Sequence, residues 1–205
     1  MRPLVAFAAL LVGLALSACF GPPESVVALS EPGETAYDAR LLGDWHYMEG
    51  DTEGFRLHIA PGEEDGVLDI VGVMLDWNTS DPVRWLRATA HASEIDGRTY
   101  YNVKRLAGVG DDYSADEPPG FAIMRTEIGD DGSLSLRFMD LDFMAKLVDK
   151  GRLKGRIIEG HSKGDDPTYL MLDVSRQELI ALIREFPSEK LFGDPGRFRR
   201  IAPAD

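Results

Sequence analysis

From Leu41 onward, apolar residues alternate with polar ones in short runs, and this two-residue period constrains the fold more than any other feature. Phe55, Leu57 and Ile59 alternate with Arg56 and His58, and Leu134, Leu136 and Phe138 with Ser133, Ser135 and Arg137. Successive side chains of an extended strand point to opposite faces, so each run reads as a half-buried strand. Turn residues lie between the runs: Pro61-Gly62, Asp65-Gly66, Ser80-Asp81-Pro82, Asp96-Gly97 and Asp131-Gly132. The Asp-Gly pairs suit hairpin turns that need positive φ. The spacing predicts strands over 42–48, 54–60, 67–77, 83–92, 97–106, 121–128, 133–139, 154–159 and 168–174. Short strands joined by tight turns argue a mainly β fold, an antiparallel barrel or sandwich.

Two segments change the period. Leu141, Met144, Ala145 and Val148 have helical spacing, which predicts a short inserted helix. Ser175-Arg176-Gln177-Glu178 has the pattern of a capping box, and Leu179, Leu182, Ile183 and Phe186 then form one apolar stripe that Pro187 ends. Such a stripe needs cover, so this amphipathic helix is expected to pack on the outside of the sheet. The tail from Gly196 to Ile201 is expected to run back along it.

The N-terminus has a different character. Leu4 to Leu16 is thirteen residues without a charge. As a helix it would span roughly 20 Å, short of the ~30 Å hydrocarbon core, so it reads as the apolar region of a signal peptide. Leu16-Ser17-Ala18-Cys19 resembles the lipobox of bacterial lipoproteins, in which the cysteine thiol is alkylated by diacylglycerol and the leader is cut just before it. Cys19 is the chain's single cysteine. Residues 1–18 are thus read as a lipoprotein signal peptide and Cys19 as the acylation site that would hold the protein to a membrane. In enteric-type sorting an Asp after the cysteine retains a lipoprotein in the inner membrane, so Phe20 implies the outer membrane, with the domain facing the periplasm. Pro22, Pro23 and Pro32, with few large apolar groups, make 19–39 read as a flexible tether. The folded domain is then 40–205, a size suited to one core.

Composition narrows the partners. Lys plus Arg is 22 against 35 Asp plus Glu, a net charge of −13. Along the sequence the bases gather only at Arg197, Arg199 and Arg200, so nucleic acid is not expected as a partner. One cysteine excludes a disulfide framework and a Cys-rich zinc site.

The order of many strands, one amphipathic helix and a short tail looks like the lipocalins, including the lipoprotein lipocalins of bacterial outer membranes. Arg40-Leu41-Leu42-Gly43-Asp44-Trp45 resembles that family's first-strand R-x-L-G-x-W motif. Tyr169 to Val174, running into Ser175-Arg176, resembles the last barrel strand and the arginine that follows it. The resemblance implies that Trp45 and Arg176 form a cation–π plug closing one barrel end, with Gly43 letting the chain bend beneath the floor. The family's middle motif, T-D-Y with a following aromatic, is absent, and nine strands precede the helix where the family has eight. The L-L-G-x-W run also resembles small bacterial lipoproteins of uncharacterised function.

No nucleophile elbow, HExxH or P-loop occurs, and Gly108-Val109-Gly110 precedes an acidic loop instead of a third glycine. His46, His58, His91 and His161 lack the close pair spacing of a metal site. His161 with Asp165 and Asp166, like the acidic run Asp111, Asp112, Asp116 and Glu117, reads as a solvated loop. No catalysis, metal or cofactor is therefore expected. Of the strand aromatics Trp45, Tyr47, Phe55, Trp77, Trp85, Tyr100 and Tyr101, those facing inward would fill the core or touch a ligand. Tyr47, Phe55, Leu57, Ile59 and Tyr101 are the candidate lining. One ring of Tyr100-Tyr101 must face outward, exposed or covered by a loop. Two functions fit: binding a lipid or other small apolar ligand in the barrel, or a filled barrel that acts by contacting another envelope protein.

Overall fold

The computed structural model describes residues 22–49, 53–76, 84–108, 120–158 and 169–201. Residues 1–21, with the expected leader and Cys19, lie outside the described residues, as do 109–119, His161, Asp165, Asp166 and the Trp77 and Trp85 side chains. The strands are β1 (Glu24–Ser25), β2 (Gly43–Glu49), β3 (Glu53–Pro61), β4 (Val67–Asp76), β5 (Arg84–Ile95), β6 (Arg98–Gly108), β7 (Phe121–Ile128), β8 (Leu134–Phe138), β9 (Gly155–Ile158), β10 (Tyr169–Leu172) and β11 (Gly196–Arg200). The helices are α1 (Leu141–Asp149), α2 (Arg176–Glu185) and the single turn α3 (Ser188–Leu191). The runs predicted from alternation all appear, close to their expected bounds.

Strands β2 to β8 follow one another in antiparallel order, and β11 pairs with both β8 and β2. The result is a closed antiparallel barrel of eight strands with a few short helices outside it, compatible with a lipocalin-like fold. The tail was expected along the helix; instead it is the closing strand. Its inward positions are Gly196, Phe198 and Arg200, and the arginine hides the apolar alternation that would have marked it as a strand. Closure removes the open sheet edges that would otherwise remain on β2 and β8.

Beyond the last residue of β8, the same edge of β7 is taken over by β1, which pairs Glu24 with Ala122 and Ser25 with Phe121. β10 and β9 extend the sheet from there. Residues 22–38, expected as a tether, are thus a strap fixed to the barrel. A buried polar network holds it. The Leu29 amide donates to Asn102 Oδ1 at 2.7 Å, Asn102 Nδ2 donates to Ser93 Oγ at 2.8 Å, and the Ser30 and Ser93 hydroxyls meet at 2.5 Å. His91 Nε2 lies 2.9 Å from the Ser30 carbonyl, and Thr35 bridges to Ala92. Short polar residues conceal this packing from a hydropathy reading, because their burial rests on hydrogen bonds and not on apolar area.

There are two apolar cores. Inside the barrel pack Leu41, Trp45, Leu57, Ile59, Leu68, Ile70, Tyr101, Met124, Leu134 and Phe198. Outside, Ile95, Tyr100 and Ile123 from β5–β7 meet Met144, Leu147, Leu179, Leu182 and Ile183 of the helices. The capping box forms as expected: the Ser175 side chain accepts from the Glu178 amide and the Glu178 carboxylate from Ser175. Both tyrosines of Tyr100-Tyr101 are buried, one in each core. Tyr100 stacks on Phe192 at 5.8 Å beneath the helical layer rather than a loop.

Candidate functional site: the two ends of the barrel

One end of the barrel is plugged. The 3₁₀ turn Ala39–Leu41, whose first amides are capped by Asp38, crosses beneath it and presents Leu41 inward. The fully buried Trp45 indole donates from Nε1 to the Leu41 carbonyl at 2.8 Å. Over the ring lies the guanidinium of Arg200, 4.4 Å from the ring to Cζ. Its nitrogens donate to the carbonyls of Leu42, at 2.6 Å, and Arg40. The cation is thus held on the ring's negative face while it satisfies backbone groups of the turn.

The expected partner was Arg176, and here the structure corrects the sequence reading. Arg176 opens α2, donates from Nε to the Ala28 carbonyl at 3.0 Å and pairs with Glu31, fastening the helix to the strap. That hydrogen bond holds the Glu31 carboxyl below its ordinary pKa. Gly43 has a part close to the one expected. Its φ of 123° is outside the range L side chains favour, and a Cβ there would stand 2.7 Å from Arg200 Nη1. Its hydrogen leaves the guanidinium its place.

Toward the other end the inward residues change character. Leu57, Ile59 and Tyr101 are buried and form part of a packed floor; the Tyr101 hydroxyl accepts from the Asp38 amide at 3.1 Å, and burial pushes the phenol's pKa up. Above them Tyr47, Phe55, Leu86, Val103 and Phe138 are only half-buried. Tyr47 and Phe55 both meet Phe198, with ring centroids 5.3 and 6.3 Å away. The five proposed lining residues therefore split: Tyr47 and Phe55 are half-buried, whereas Leu57, Ile59 and Tyr101 are buried in the packed floor.

Three further residues shape this end. Arg105 pairs in register with the buried Ala88, and directly opposed residues share a face, so its side chain turns inward. Continuing the alternation from Tyr101 through Val103 would have placed it there. Leu106 is the extra residue of a β-bulge between Arg105 and Ala107 and is half exposed at the rim. Gly72 marks the narrowest level, since a Cβ there would stand 2.6 Å from Phe55 Cζ and 3.0 Å from Leu86 Cγ. Gly72→Ala is expected to cost about 1–3 kcal/mol by overpacking. Urea unfolding checks this, and an unchanged midpoint would mean that the ring has room to move.

No protein-family model, curated protein or solved structure matches the chain. The closed eight-stranded barrel is compatible with a lipocalin-like fold, and no detected relative adds to that. Among the described residues no group of three or more His, Cys, Asp or Glu is placed to hold a metal ion, and no helix is long and apolar enough to cross a membrane.

Proposed function

We propose that this is a lipocalin-like bacterial lipoprotein, acylated at Cys19 and held at the outer membrane facing the periplasm, that binds a small apolar ligand in the cup at the open end of its barrel. The supporting observation is the gradient of burial along the interior. At the plugged end Leu41, Trp45 and Leu134 are buried while Leu42 and Ile128 are partly so, and farther along the interior Tyr47, Phe55, Leu86, Val103 and Phe138 are all half-buried. An apolar concavity with a few polar groups is the usual form of a small-molecule site. The inward Arg105 suits a ligand with an acidic or polar head on an apolar body. The filled floor makes the site shallow, accommodating a chain end or a small ring rather than enclosing a whole lipid. This is a binding role without catalysis.

Titration of purified protein with a long-chain fluorescent fatty acid tests the reading. Saturable binding that Phe55→Asp abolishes is expected, with Arg105→Gln weakening the acid more than the corresponding alcohol. No binding by a folded protein would favour the second function, a filled barrel contacting another envelope protein, for which the tight level at Gly72 speaks. The anchoring half is tested separately. Cys19→Ala should release the protein from the membrane fraction or leave it unprocessed. If the variant is still recovered as an acylated outer-membrane species, the anchor is elsewhere.

A further inference from the structure

We propose that the bare wall of the barrel, β3–β2–β11–β8, is a docking face for an anionic bilayer surface. Strand pairing gathers there a set of cations that are scattered in sequence. Trp45, Phe55, Leu57, Leu134 and Phe198 face inward, as does Arg200 over the indole, so the residues between them face outward. In register, Arg56 of β3 lies opposite His46 of β2, and His46 opposite Arg199 of β11. Arg197 follows on the same face of β11, and Arg137 of β8 stands directly opposite Arg125 of β7. Arg56, Arg197 and Arg199 are exposed, and Arg137 is half-buried.

This is an unusual concentration for a chain of net charge −13. Like charges directly opposite one another destabilise a sheet, so the Arg125–Arg137 pair does not serve stability through its charge. Arg125 reaches Ser188 Oγ at 2.6 Å, but among the described residues no ion pair engages Arg56, Arg137, Arg197 or Arg199. Acids flank the wall at both ends, Asp194 just before β11 among them. Asp44 is bonded to His58, Asp131 is held by Ser133 with Arg197 near it, and Glu127 lies two residues beyond Arg125. No member of the outer core comes from β2, β3, β8 or β11, so the helices leave this wall uncovered.

Guanidinium groups spread over neighbouring strands, with His46 between Arg56 and Arg199 and Ser135 opposite Arg197, fit phosphate headgroups spread over a surface. The strap favours a bilayer over a soluble polyanion. It joins the barrel on the β7 edge just beyond β8, and Pro22 is three residues from Cys19. Acylation at Cys19, on the reading above, would hold the membrane within about 10 Å of the strap, beside Arg137.

The charge argument stands without the anchor and is tested without it. A chain of residues 20–205 retains every described element. It should sediment with vesicles containing phosphatidylglycerol, not with pure phosphatidylcholine, and should be released by salt. Replacing Arg56, Arg197 and Arg199 together with Gln should weaken binding by about fivefold per arginine, on the order of a hundredfold in total. The matched triple change of Lys146, Lys150 and Lys190 to Gln, on the helical side, should leave it intact. Circular dichroism should show both variants folded. Binding unaffected by the arginine changes, or lost equally with the lysine changes, overturns the proposal. So does binding to polyglutamate but not to vesicles. Failure of Cys19 acylation would remove the anchor and leave these results unchanged.

Discussion

Arg200→Ala is expected to destabilise the domain by about 3 kcal/mol, a loss larger than that from Arg176→Ala. The guanidinium lies over the fully buried Trp45 ring and donates to two carbonyls of the turn that floors the barrel. A desolvated cation–π contact is worth up to ~2 kcal/mol and a charge-assisted hydrogen bond ~1.5–3, reduced here because the outer side of the arginine is wet. Trp45→Ala should cost about 3–5 kcal/mol, since a large buried ring leaves a cavity. The two losses should not add: with the indole gone the cation has no face to occupy, and a double-mutant cycle should show the coupling. Lys at position 200 should rescue only in part, because an ammonium cannot stack on the ring while bonding two carbonyls in a plane. Equilibrium urea unfolding provides all four stabilities. Additive losses, or a greater dependence on Arg176, would show that the plug does not work in this way.

Leu179→Ala should cost about 2–5 kcal/mol, the range for truncating a leucine in a core that cannot fully collapse. Leu179 has no exposed surface and lies where α2 meets the outer wall of the barrel. The loss should also appear as a change in the near-ultraviolet circular dichroism of Tyr100 and Phe192, which stack beneath the same layer. An unchanged thermal melt would show that the helix does not dock.

The barrel was legible in the sequence wherever a strand has one dry face and one wet face. β3 over residues 55–59 and β8 alternate cleanly because there the inward residues are apolar and the outward ones polar. α2 was equally plain, since its capping box and apolar stripe are local. What escaped notice depends on distant pairing. β11 places an arginine inward, so its alternation fails in the very residue that closes the fold. The strap is pinned by Ser30, Ser93 and Asn102, polar groups that acquire partners only when the chain is folded. The plug follows the same rule: a tryptophan two residues after a glycine was visible, but which of many arginines would cover it was not, and the lipocalin resemblance pointed to Arg176. The candidate site was half legible. Inward aromatics could be listed, but whether each lies in the floor or at the rim depends on strand stagger, which no local pattern encodes. Of the arginine wall only Arg197 and Arg199 showed as a local cluster, because Arg56 and Arg137 join them only through strand pairing.

The closing strand also sets a schedule for folding. The barrel's first strand, β2, is made early, yet one of its two neighbours is β11, whose last residue is Arg200. A chain that emerges from its N-terminus, from a ribosome or a translocation channel, therefore passes most of its length with β2 and β8 unjoined and the Trp45 ring uncapped. Contacts this far apart in sequence form only after a long stretch of chain has been brought together, and such pairing is slow. Closure waits for residue 200. Until its final strand arrives the chain can pair only as an open sheet, and that arrival closes it.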